Sequence, residues 1–147
     1  MLFRTNFQSR ALEEAILSLS VPYQVLGVRF FERKEIKDAL SYLRFALNPD
    51  SSGDLSRVVN EPARGIGKVT LLKMIEKRKD SINAATLAKV IAFERMMEEI
   101  AACARTKPLS ETLRFILKRT GLEETLKKGG EEELERLYPW IKWTEPI

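Results

Sequence analysis

The stretch NEPARGIGKVTLLKM, residues 60–74, holds the residues of this chain that are best suited to binding chemistry. Gly65 and Gly67 flank Ile66, and a helical pattern begins directly after them. The glycines leave a turn without side chains, and the first turn of a helix has N–H groups without intrahelical partners. Both features suit a backbone that closely approaches a negatively charged group.

Two binding chemistries can be compared for this stretch. A phosphate-cradling loop of an NTPase needs the spacing G-x-x-x-x-G-K-[ST], but here the two glycines before Lys68 are separated by one residue. A helix-hairpin-helix-like element fits better, because its hairpin presents backbone N–H groups to a phosphate of duplex DNA. In this interpretation Ile66 turns into the core, and Lys68 and Thr70 add contacts from the first helical turn. The alternative is a plain glycine-containing helix start.

The distribution of charge supports an anionic partner at the same place. The net charge is +4. Residues 57–80 hold seven basic and three acidic residues, so the whole excess lies there, and the remaining positions balance. A local basic cluster is typical of phosphate binding. The alternative is a solvated helix face.

Composition excludes several classes of protein. The 147 residues are 44% hydrophobic, which is enough for one ordinary core and excludes a disordered tail. No apolar run approaches the ~20 residues that span a bilayer, and the N-terminus has no signal-peptide core. Cys103 is the only cysteine and histidine is absent, so an internal disulfide, a histidine-based zinc site and a Ser-His nucleophile are excluded. We expect a cytoplasmic protein without a metal site.

Hydrophobic periodicity predicts a mainly α chain with a short β-α-β start. The predicted strands are residues 1–5 and 23–27, and the helix between them is 7–19. From residue 31 onward the pattern is helical throughout. The predicted helices are 34–47, 54–60, 67–79, 83–105 and one that is N-capped by Ser110 and reaches residue 119.

Three segments occur in one order with close spacing: RTNFQSRALEEA (4–15), VPYQVLGVRFFERKEIKDALSYLR (21–44) and RVVNEPARGIG (57–67). Together they resemble the signature segments of UvrD/Rep-type superfamily 1 DNA helicases. In that family they belong to the second, RecA-like motor domain and to the helical 2B subdomain inserted into it. The resemblance implies a partial motor-domain segment at 1–30, a 2B-like helical subdomain with a helix-hairpin-helix-like turn at 31–135, and an unmatched tail at 136–147.

The resemblance also implies two sets of DNA contacts. The first set corresponds to the family segment that grips the duplex ahead of the fork: Arg64, Gly65, Ile66, Gly67, Lys68 and Thr70. The second set corresponds to the segment along the single-stranded DNA track: Arg4, Thr5, Asn6 and Arg10.

Full-length members of the family are ATP-dependent helicases that move 3′ to 5′ with ATP and Mg²⁺, and the family suggests a role in DNA repair. These 147 residues contain no phosphate loop, magnesium-binding acidic motif or arginine finger. We therefore expect the chain alone to bind no cofactor and to hydrolyse no ATP. The expected partners are duplex DNA, single-strand/duplex junctions and the missing motor segments, with no membrane. The alternatives are a standalone DNA-binding module and a protein-interaction module.

Overall fold

The computed structural model describes residues 6–20 and 33–129, with side chains in the first range from Ala11 onward. Every regular element in these ranges is helical, which confirms the mainly α prediction. The two predicted strands lie outside the described residues. None of the described helices is both long and apolar enough to cross a membrane.

The described helices follow one another with short connections. They are α1 (Asn6–Ser18), α2 (Lys34–Leu47), α3 (Ser52–Val58), α4 (Lys68–Ile75), α5 (Ala84–Thr106), α6 (Leu109–Thr120) and α7 (Leu122–Gly129), with a 3-10 turn at Lys79–Ser81 between α4 and α5. Helix α2 packs against α3, α5 and α6, and α6 also packs against α5 and α7.

The core lies where α2, α5 and α6 meet. Its largest fully buried side chains include Tyr42 from α2, Phe93 and Ile100 from α5, and Leu113 and Ile116 from α6. Helices α2 and α6 each have an apolar stripe at helical spacing and a polar outer face, so the three helices bury their stripes against one another. The short elements α3, α4 and α7 are added around this centre.

The predicted bounds are confirmed where periodicity and caps agree. Helix α2 begins and ends at the predicted residues. Helix α5 is displaced by one residue from the predicted range, and its start is set by Asn83, whose side-chain oxygen accepts a hydrogen bond from the Thr86 N–H at 2.8 Å. Such a cap satisfies one of the unpaired donors at a helix start.

The predicted single helix at 67–79 is wrong in its extent. Helix α4 ends at Ile75, because Lys77 adopts a left-handed conformation with a φ of 58°. The Arg78 N–H then bonds the Lys73 carbonyl at 2.8 Å, and the Lys77 N–H bonds the Met74 carbonyl at 3.1 Å. This is the Schellman pattern of a helix end, here without the glycine that usually marks it.

The prediction that Ser110 caps α6 is also wrong. Pro108 is the N-cap, and Ser110 lies inside the first turn, where it is buried. The Pro108 carbonyl accepts hydrogen bonds from both the Thr112 N–H and the Thr112 hydroxyl, at 3.0 and 3.1 Å. The fixed φ of proline suits a helix start, so the helix begins before the serine. The helix ends at Thr120, one residue beyond the predicted end, and its C-cap Gly121 has a φ of 83°.

Helix α1 should be less stable than α5. No side chain from residue 11 to residue 20 is buried, and Leu17 and Leu19 are 61% and 72% exposed. Helices with little buried apolar surface open more often. In hydrogen exchange of the monomeric chain, we expect the amides of α1 to exchange much faster than those of residues 90–100. Equal protection of both segments would contradict this expectation.

Candidate nucleic-acid interface

The segment between α3 and α4, residues 59–67, folds back on the core so that its glycines face outward. Ile66 is only 1% exposed and belongs to the hydrophobic core. Gly65 and Gly67 on either side of it are exposed. The prediction that Ile66 turns inward is therefore confirmed, and one buried isoleucine fixes two solvent-facing glycines. We call residues 64–67 the glycine loop.

Asn60 holds the glycine loop in shape, a role that the sequence analysis missed. Its side-chain oxygen accepts hydrogen bonds from the backbone N–H groups of Arg64 and Ile66, at 3.2 and 3.1 Å. Its amide nitrogen donates to the Ile66 carbonyl. An asparagine side chain provides a donor and an acceptor in one plane, which allows it to replace a backbone partner in a turn. The position of Asn60 just after α3 is the sequence signal that could have indicated this role.

Arg64 joins the glycine loop to two helix ends. Its Nη1 donates to the carbonyls of Val58 and Pro62, each at 3.1 Å. Its Nη2 donates to the Thr120 carbonyl at the end of α6, at 3.0 Å. Carbonyls at a helix end lack intrahelical partners, so the guanidinium satisfies the Thr120 carbonyl, which has no other donor among the described residues. The prediction that Arg64 contacts duplex DNA stays a prediction; in the structure these donors bind the protein itself.

Two aromatic rings, those of Tyr42 and Phe93, lie beneath the guanidinium group of Arg64. The guanidinium carbon lies 5.6 Å from the ring centroids of both Tyr42 and Phe93, within the range of cation–π attraction. The Tyr42 hydroxyl lies 3.0 Å from the Val58 carbonyl and 2.6 Å from the Glu61 carbonyl. Burial raises the pKa of Tyr42 to about 12. Tyr42 therefore remains a neutral hydrogen-bond donor at any physiological pH.

The two glycines differ in backbone conformation and in their surroundings. Gly65 has a φ of 70°, which disfavours other residues, and a Cβ built on it would lie 2.9 Å from the Lys89 Nζ. Gly67 has a φ of −74° and a ψ of 168°, which any residue adopts. A Cβ on Gly67 meets no atom within 4 Å. The backbone at position 65 therefore favours glycine, whereas position 67 is open toward solvent.

The first turn of α4 presents backbone N–H groups that no side chain caps. Gly67 is the N-cap and provides no side-chain hydrogen bond. The amides of Lys68, Val69 and Thr70 occupy the first turn, where no intrahelical acceptor exists, and only the next amide, of Leu71, bonds the Gly67 carbonyl. Lys68 and Val69 are exposed. Bare N–H groups at the positive end of a helix dipole favour an anion.

Most of the basic residues at 57–80 have partners within the protein. Six of the seven have intramolecular partners, and Lys68 has none among the described residues. The partners are Asp38 for Arg57, backbone carbonyls for Arg64, the Ser81 carbonyl for Lys73, Asp50 for Lys77, Glu76 for Arg78 and Glu94 for Lys79. Several of these pairs are exposed and weak. The cluster as a whole is thus mainly a paired surface, and Lys68 is its unpaired member beside the glycine loop.

One of these pairs is partly buried. The Arg57 Nε lies 2.8 Å from an Asp38 oxygen, and the Asp38 side chain is only 4% exposed. Burial raises the pKa of Asp38, and the nearby Arg57 opposes that shift. Burying a carboxylate is costly unless it is paired. This pair therefore joins α2 to α3 and has a structural role.

The predicted single-strand contacts lie at the edge of the described structure. Arg4 and Thr5 are outside the described residues, and Asn6 and Arg10 lie in α1 without described side chains. Their predicted contacts stay predictions. Within residues 6–20 and 33–129, no group of three or more acidic or cysteine side chains is placed to hold a metal ion.

The described residues therefore form a helical subdomain with a hairpin-like loop between two short helices. The chain belongs to the UvrD-like helicase family: residues 1–138 match the UvrD-like helicase C-terminal domain.

Similarity to curated proteins extends over nearly the whole chain. The chain is 39% identical to DNA helicase II of Escherichia coli strain K12 across 98% of the chain's own length. It is 35% identical to the ATP-dependent DNA helicase Rep of Buchnera aphidicola across 97%, and 34% identical to the ATP-dependent DNA helicase PcrA of Bacillus subtilis across 86%. The chain spans only 23%, 21% and 19% of these three relatives.

Proposed function

We propose that this chain is a fragment of an ATP-dependent 3′–5′ DNA helicase and that it contributes duplex and junction binding. The observation that carries the proposal is the outward face of residues 65–70. There the glycine loop and the first turn of α4 present backbone donors with no side-chain cap and no steric cover at Gly67. The names of the relatives, which are DNA helicases, support DNA as the partner.

In this proposal each predicted duplex residue has a distinct part. Gly67 allows the phosphate to approach, and the amides of the first turn donate to its oxygens. Lys68 and Thr70 add side-chain contacts to the backbone of the duplex. Ile66 anchors the loop in the core, Gly65 provides the turn with its positive φ, and Arg64 supports the loop through its carbonyl contacts. Single-strand contacts come from Arg4, Thr5, Asn6 and Arg10.

ATP and Mg²⁺ belong to the proposed whole helicase. Phosphoryl transfer requires positioned lysine, metal and arginine groups together. We propose that other segments of the helicase supply those groups, and that this chain acts as its DNA-binding part.

A fluorescence titration tests the proposal. The probe is a short duplex with a 3′ single-stranded tail, compared with the single strand alone, at 50 and 200 mM monovalent salt. If the loop neutralises two phosphates, the association constant for the duplex should fall by about tenfold between the two salt concentrations. Absence of duplex binding, or binding that does not depend on salt, would contradict the proposal.

A protein-interaction module is the second candidate, and one observation favours it. The side chains of Val69, Leu72 and Ile75 on α4 are 67%, 57% and 38% exposed. They follow a spacing of three residues, so they lie along one side of the helix. An apolar surface of this kind suits contact with another protein segment. Salt-dependent duplex binding in the titration favours the first candidate. Association with protein in the absence of DNA binding favours the second.

A further inference from the structure

A lysine outside the basic stretch lies directly against the glycine loop. Lys89, in the second turn of α5, places its Nζ 2.9 Å from the position of a Cβ on Gly65. The two residues are 24 positions apart, so only the packing of the loop beside α5 brings them together. The absent side chain of Gly65 leaves room for the ammonium group against the loop backbone.

Lys89 also differs from most of its basic neighbours in having no anionic partner. Within residues 6–20 and 33–129, no carboxylate or carbonyl oxygen lies within bonding distance of its Nζ, and the residue is exposed. Lys79, in the 3-10 turn before this helix, is paired with Glu94 at 2.7 Å. The positive charge of Lys89 is therefore available to a ligand.

The surroundings of Lys89 have the right character for an anion. It lines a shallow pocket of about 330 Å³ together with Arg64, Arg119, Phe93 and Met96, with no acidic side chain in the lining. Arg64 is engaged with backbone carbonyls, and the Arg119 Nη2 lies 3.2 Å from a Glu99 oxygen. Of the three cations in this lining, Lys89 is thus the one without a protein partner among the described residues.

We infer that Lys89 is a second phosphate-binding group of the proposed duplex interface, which extends this interface from the glycine loop onto α5. The inference rests on the proposed function. The loop offers backbone N–H groups that require close approach, and Lys89 offers a flexible point charge beside them. An ammonium next to the loop binds either the same phosphate or its neighbour along the strand. The contact carries no base information, so it strengthens binding equally for all sequences.

The test compares Lys89→Ala with Lys107→Ala in the full chain, using a blunt duplex as the probe. Lys107 is an exposed lysine about 27 Å farther along the axis of α5, and its contact with Glu111 is a weak surface pair. Both variants remove one positive charge. We expect Lys89→Ala to weaken duplex binding by roughly threefold to tenfold at 50 mM salt and to lower the salt slope by about one unit. Lys107→Ala should leave both quantities unchanged, and Lys89→Arg should restore the slope.

The outcomes separate this inference from the proposed function. If the parent chain binds the duplex and Lys89→Ala behaves like Lys107→Ala, the role of Lys89 is refuted while the proposed function stands. Equal losses in the two variants indicate a general effect of net charge and also refute it. If the parent chain does not bind the duplex at all, both proposals are refuted. A smaller salt slope of duplex binding in Lys89→Ala but not in Lys107→Ala, with unchanged circular dichroism, supports the inference.

Discussion

Gly67→Val should weaken duplex binding by about tenfold or more while leaving the chain folded. The loss of even one hydrogen bond to a charged phosphate is worth about 1.5 kcal/mol, which corresponds to about tenfold in affinity. The valine side chain would stand in the open space through which the phosphate approaches. The fold should tolerate it, because Gly67 has ordinary extended dihedral angles. Poorer capping by valine should cost about 1 kcal/mol or less.

The chain provides a matched control for this change. A Cβ on Gly53 in α3 would also meet no atom within 4 Å, so Gly53→Val makes the same substitution at an open site away from the loop. It should leave duplex affinity unchanged.

Lys68→Ala should weaken duplex binding less than Gly67→Val does, because it removes one screened charge and keeps the backbone donors. Arg4→Ala should mainly reduce single-strand binding. A folded Gly67→Val variant with the affinity of the parent would show that the glycine is only a helix start.

Arg64→Ala should lower the free energy of unfolding by about 3 kcal/mol, because it leaves two carbonyls without their donor and removes the cation above two buried rings. These are the carbonyls of Pro62 and Thr120, whereas the Val58 carbonyl keeps the Tyr42 hydroxyl and the Glu61 N–H as partners. In a urea titration followed by circular dichroism, a loss of this size moves the midpoint down by roughly 1.5 M. Arg64→Lys should recover little, since one ammonium cannot reach carbonyls on both sides of the loop.

Arg78→Ala is the control for Arg64. Arg78 is 70% exposed and its closest contact with Glu76 is 3.4 Å, so its removal should change the stability by no more than about 0.5 kcal/mol. If the two alanine variants unfold at the same urea concentration, the carbonyl contacts of Arg64 do not stabilise the fold. In that case Arg64 is available for the DNA contact that the family resemblance implies.

Local signals in the sequence were sufficient for the two long helices α2 and α5. Helix α2 combines a continuous apolar stripe with a turn-forming cluster after it, and both of its ends were predicted. Asn83 marks the start of α5 by a cap that depends only on residues three positions apart. The end of α4 was not predictable in this way. Lys77 adopts a conformation that lysine rarely takes, and no glycine announces it.

The glycine loop also combines features that the sequence predicts with contacts that only the tertiary structure creates. The sequence by itself determined that Ile66 packs inward between two glycines at a helix start, because isoleucine is among the residues most often buried. It also determined the family, through three segments in one order. Only the tertiary structure decided what each neighbouring group does. Arg64 binds the Thr120 carbonyl across 56 positions, and Lys89 reaches the loop from another helix. The choice of partners among charges depends on which helices pack together, and such long-range proximity leaves no local pattern in the chain.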